Sequence, residues 1–228
     1  MKIRVLPGFV AIFLGYIGLA TAQQAPAPTQ ARIRFVFENA KLQPAGYVLD
    51  INEDGTGHFR SQAGSAGTAD PEGITSQGME TDIKINEPLR SFLFKTARSH
   101  NFFDVACENT KAKVAFTGKK ALQYSGPDGD GACTFNWSHD PQLMRLSDEL
   151  IAVAFTLEEG RRLAVEHEHN RLGLDAELEE LQDAIKGGRA RQIQNIAPQL
   201  ESIAADEQVM ERARSRARQL LSSEDKSS

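Results

Sequence analysis

The chain has 228 residues, 40% of them hydrophobic, with 26 basic against 31 acidic side chains and a net charge of −5. This is a globular composition, which excludes a collagen-like, disordered or multi-span membrane protein, and the acidic balance argues against nucleic acid or anionic lipid as a partner.

Lys2 and Arg4 precede an apolar run from Val5 to Leu19, and Ala20-Thr21-Ala22 follows. A basic n-region, a short h-region and an A-x-A site predict a secretory signal peptide over 1–22, cut between Ala22 and Gln23. The run is shorter than the ~20 residues that span a bilayer and is broken by Pro7, Gly8, Gly15 and Gly18, so cleavage is expected rather than retention as an anchor. No later stretch is apolar for long enough to span, so no stable membrane span is expected after cleavage. The expected location is periplasmic or extracellular, and removal of Lys2 and Arg4 makes the mature chain two units more acidic. In such a compartment Cys107 and Cys133 are expected to form a disulfide, with a loop-closure effect of roughly 3–4 kcal/mol in the chain-entropy picture.

Residues 23–31 read as a Pro/Ala/Gln linker. An α+β domain is expected over 32–155. Ile33, Phe35 and Phe37 alternate with polar neighbours, as do Tyr47, Leu49 and Ile51. Asp54-Gly55 between two such runs predicts a hairpin. Ser61 to Gly78 reads as a long Gly/Ser/Ala-rich loop, and Thr81 to Ile85 as a short strand. Pro88 opens a helix whose buried face is Leu89, Phe92, Leu93, Thr96 and Ala97. Three strands are then expected: one preceding or including Cys107, Lys113 to Phe116, and Ala121 to Tyr124, the last two joined by a tight turn at Thr117–Lys120. After a turn-rich loop, Ser125 to Gly131, a strand Ala132 to Trp137 points Cys133, Phe135 and Trp137 inward.

Asp140 and Pro141 have the pattern of an N-cap and first helical residue, leading a stripe of Leu143, Leu146, Leu150, Ile151 and Ala154. Thr156-Leu157-Glu158-Glu159 has capping-box spacing, so a new helix is expected there, opening an all-α extension over 156–222. That helix should end near Gly173. Asp175 and Gly187-Gly188 bound the next helix, Pro198 kinks or delays another, and Asp206 caps the last. Residues 223–228 form a polar tail. Charge follows the same division: net −1 over 23–139 and −6 over 140–228.

Candidate chemistry is sparse. Asp50, Asn52, Asp54 and Gly55 match the start of a Ca²⁺-binding loop, but Gly57 and Ser61 stand where an apolar residue and a bidentate Glu belong. Asp128 and Asp130 lie in a second Gly-rich turn, which could meet the first. Ser138-His139-Asp140 holds triad residue types that three consecutive positions cannot converge. His167 and His169 point about 200° apart on a helix, and Glu166-x-x-His169 lacks the second copy a di-iron site needs. Arg212, Arg214, Arg216 and Arg218 read as local ion pairing with Glu207 and Glu211. No metal, cofactor or catalytic fingerprint is present, so none is assigned.

The segment YVLDINEDGTGHF, the PLRSFLFKTARSHNFFD helix, the hairpin between the cysteines, and DPQLMRLSDELIAVA together resemble an uncharacterised exported bacterial α+β domain family. The resemblance covers about half the chain and implies a bacterial envelope context and an α+β sandwich-like unit, in line with the antiparallel sheet with packed helices read from the residues. It implies no activity. The reading that follows is a soluble binding or interaction module, whose protein partner would meet the helical extension. The alternative is a hydrolase or metal-dependent enzyme assembled from distant residues, with His58, Asp54 and Asp128 as first suspects. Oligomeric state is open at this level.

Overall fold

The structure, a computed structural model, describes residues 29–62, 78–111 and 113–224. The expected signal peptide with its Ala22–Gln23 cleavage site, most of the linker, the loop residues 63–77 and the last four tail residues lie outside the described residues.

Six strands form one antiparallel sheet: β1 (Arg32–Glu38), β2 (Gly46–Asn52), β3 (Thr56–Gln62), β4 (Glu80–Lys84), β5 (Lys119–Gly126) and β6 (Gly129–Phe135). Their order across the sheet is β4-β3-β2-β1-β5-β6. The period of two in the sequence becomes the inner face: Ile33, Phe35 and Phe37 pair with Ile51, Leu49 and Tyr47 on β2, and Ile33 and Phe35 with Tyr124 and Leu122 on β5. Helix α1 (Leu89–Ser99) and the first half of α2 (Pro141–His169) close this face with Leu93, Phe94, Ala97, Leu143, Leu146 and Leu150. The opposite face carries Arg32, Arg34 and Asp50, ion-paired across β1 and β2.

A second core joins the far half of α2 to α3 (Leu174–Lys186), a 3-10 turn (Ile193–Ile196), α4 (Ala197–Ala205) and α5 (Glu211–Glu224). Leu163, Leu178, Leu181, Ile196, Leu200 and Ala217 meet there. The α+β class with a helical C-terminal part is therefore as expected. So is the disulfide: Cys107 and Cys133 are bonded, with Cα atoms 5.8 Å apart, tying an irregular segment to β6.

Several local expectations fail. Neither Cys107 nor Lys113–Phe116 lies in a strand. Val114 and Phe116 are exposed, so their alternation had no core to fill. The Asn136 side chain holds this segment instead, accepting from Thr117 N at 2.8 Å and donating to the Ala115 carbonyl at 3.1 Å. Thr117–Lys120 joins no two strands, since β5 begins at Lys119, whereas the turn expected within Ser125–Gly131 is present and narrows to Pro127-Asp128 between the paired Gly126 and Gly129. Trp137 lies past the end of β6 and is only half-buried. Thr156 starts no helix, because α2 runs unbroken from Pro141 to His169. Its hydroxyl donates to the Ala152 carbonyl at 3.1 Å and accepts Arg191 N at 2.9 Å. Asp175 is buried in an ion pair rather than capping α3, and Asp206 bonds Gln208 N in the turn before α5.

Candidate functional site

The connection from α3 to α4 runs back over the α+β part. Its polar side chains strap it to the exit of β4: Asn195 Oδ1 accepts Lys84 N at 2.7 Å, and Gln192 Oε1 accepts Asn86 N at 2.7 Å. Gln194 and Asn195 return bonds to the Lys84 carbonyl at 2.9 and 3.0 Å. Arg191 Nε reaches Glu149 of α2 at 2.9 Å. The connection is thus tied both to the exit of β4 and to α2, and a groove lies beside it.

The groove consists of two adjoining cavities of about 460 and 560 Å³, with Arg145 and Glu149 in the walls of both. Trp137, His139, Met144 and Asp148 line one; Phe92, Ile185 and Arg191 line the other. The Trp137 and His139 rings meet edge to face at 4.9 Å, and Met144 Sδ accepts Ser138 N at 3.4 Å. The Arg145 guanidinium lies over the Phe92 ring at 4.7 Å. Among the described residues neither Arg145 nor Asp148 has an ion-pair partner, so one cation and one anion remain available three residues apart on α2. The Asp148 carboxyl is raised above its ordinary value by partial desolvation, with Lys120 opposing and Glu149 adding to the rise. Lys120 is itself buried and lowered by that burial; its Nζ donates to the Asn136 carbonyl at 2.8 Å.

The residues singled out from the sequence lie elsewhere and do not converge on one centre. The two acidic turns do meet, but around an arginine. Arg98 of α1 bonds Glu53 and Asp128, each at 2.6 Å, and Tyr124 OH donates to Asp128 at 2.6 Å. Those bonds, from Tyr124 and then Arg98, hold the Asp128 carboxyl below its usual range, while the Asp128 bond raises the Arg98 guanidinium. Burial first, then Asp128, pushes the Tyr124 phenol up to about 12. Asp54 is turned onto the backbone and hydroxyl of Thr56, and His58 faces Asp82 at 3.0 Å on the outer sheet face.

Ser138, His139 and Asp140 diverge. Ser138 Oγ accepts Asp140 N at 3.2 Å, His139 meets Trp137 edge to face, and Asp140 caps α2 through Gln142 N and Leu143 N. Asp140 also meets His100 at 2.8 Å; burial works against its ionisation, but these bonds outweigh it and lower the carboxyl. His167 pairs with Asp206 at 2.9 Å, whereas His169 stays near Glu168 at the exposed helix end. Arg212 and Arg216 converge on Asp175, and Arg214 and Arg218 on Glu211. Among the described residues no group of three or more His, Cys, Asp or Glu is placed to hold a metal ion, and no helix is long and apolar enough to cross a membrane. Arg145, Asp148, Glu149 and Arg191 carried no sequence signal, because the groove draws on segments far apart in the chain. No protein-family profile matches the chain, and a search of curated proteins finds no relative.

Proposed function

We propose that the protein is an exported binding module of the bacterial envelope that docks a partner polypeptide in the groove beside α2, where the helical extension meets the α+β part. The observation that carries this reading is the groove's composition. Partly exposed Trp, Met, Phe and Arg are the residue types that dominate protein interfaces. Here they stand beside Arg145 and Asp148, which have no ion partners among the described residues. The occupant this suits is an extended segment with an apolar side chain for Trp137 and Met144, an acidic one for Arg145 and a basic one for Asp148. The disulfide is consistent with an oxidising compartment.

A photo-crosslinking residue at His139 in the full-length protein, expressed in its host, tests this. A discrete adduct is expected, lost on Trp137→Ala or Arg145→Glu, with none from the same residue at Gln123 on the outer sheet face. Equal adducts from both positions, or none from His139, would sink the reading.

A further inference from the structure

A separate cavity of about 230 Å³ opens further along α2, where the helix passes the β1–β2 connection. Phe37, Leu42, Tyr47 and Phe155 give it apolar walls, and Glu158, Glu159 and Arg162 also line it. The Glu159 side chain is only 5% exposed, yet it makes no hydrogen bond. Arg162 Nη1 stands 3.6 Å from its Oε1, an ion-pair distance too long for a hydrogen bond, and its Oε2 has no partner. Arg162 is shared with Glu177 of α3 at 3.4 Å. Glu158 spends one oxygen on Arg161, at 2.8 Å, and its other oxygen is also unmet. Buried acceptors without donors are costly and rare in native proteins. Two such oxygens on residues lining one apolar cavity describe a place for a ligand that donates hydrogen bonds. Arg161 and Arg162 also line the cavity, but both guanidiniums are already engaged by Glu158, Glu159 and Glu177, so the acceptors left over are carboxylate oxygens.

We propose that this cavity binds a small primary amine with an aromatic or short aliphatic body, its ammonium donating to Glu159 and its body packing against Phe37, Tyr47 and Phe155. Aromatic walls also favour a cation over a neutral isostere. Size sets the class: a cavity of about 150 Å³ accepts benzene, whereas drug-sized ligands need about 300–1,000 Å³. The space at hand suits one ring bearing an aminomethyl group.

The test is titration of the full chain with benzylammonium at pH 8, followed by calorimetry and by NMR of the Tyr47 ring. Saturable binding is expected, with benzyl alcohol about tenfold or more weaker and Glu159→Gln weakening benzylammonium by a similar factor. No saturable binding, equal affinity for the alcohol, or unchanged affinity in the variant would overturn the proposal. The alcohol comparison uses wild-type protein, so it decides the matter even if the variant unfolds. The site shares no lining residue with the groove beside α2, so each stands or fails alone.

Discussion

Glu159 concentrates the electrostatic cost of the fold in one side chain. Burial raises its carboxyl to about 7; Arg162 opposes the shift, while Glu177, Glu180 and Glu158 reinforce it. The folded state therefore holds a proton that the unfolded chain has released, over the window between the ordinary carboxyl value of 4.5 and about 7. Stability from this group is fully present below that window and is lost as pH rises through the folded value, a change on the order of 3 kcal/mol. Urea midpoints should fall between pH 5 and pH 8. Glu159→Gln should flatten that slope and be the more stable protein at pH 8; a variant with the wild-type slope would refute the assignment. The cysteines allow a second measurement. Cys107→Ala/Cys133→Ala should lose about 3–4 kcal/mol by chain-entropy reasoning, and thiol labelling of the denatured, unreduced wild type should find no free cysteine. The disulfide was legible in the sequence, because compartment and an even cysteine count suffice to expect it. The ionisation of Glu159 was not. Its neighbours in the chain mark it as half of a capping box, and only the packing of α2 against the β1–β2 connection and α3 makes it buried.

At the scale of elements, α3 and α5 are clamped through one carboxylate. Asp175 is buried and receives Arg212 at 2.7 Å and Arg216 at 2.9 Å. Arg216 also bonds Glu179 and Gln182, so removing the carboxylate strands only part of its charge. Asp175→Ala should cost about 2 kcal/mol, less than a fully buried pair because Arg212 is largely exposed. Equilibrium unfolding measures this directly, and a loss within error of zero would mean that the clamp is decorative. The same residue shows how a local motif misleads. An acid after a glycine, ahead of an apolar stripe, looks like a cap, yet Asp175 serves a helix about 40 positions away. Thr156 misleads in the same way: capping requires free N–H groups, and α2 has none at its middle. Close approach decides the packing at Gly160 as well, where an added Cβ would stand 2.2 Å from Ile196 Cγ2, so only glycine lets the 3-10 turn reach α2.

Across the whole molecule α2 belongs to both cores. Leu157 sits in the first and Leu163 in the second, less than two turns apart. The strap from Gln192, Gln194 and Asn195 to the end of β4 adds a polar link between the same two parts. Neither core can lose α2 without the other losing it too. Calorimetry should therefore record a single transition whose calorimetric and van't Hoff enthalpies agree; two resolved transitions would show that the cores are independent.

What the chain determined alone is what can be read within one element: the alternation that buries Phe35 and Leu49, the stripes of the helices, the cap at Asp140, and an even pair of cysteines. These follow from local periodicity and backbone chemistry, which need no distant partner. Tertiary structure decided that the two acidic turns meet around Arg98, that α2 is continuous, and that a groove and a separate small cavity lie along it. Those features depend on which residues from distant segments share a space, and a side chain's ionisation and reach are set by neighbours that only packing supplies.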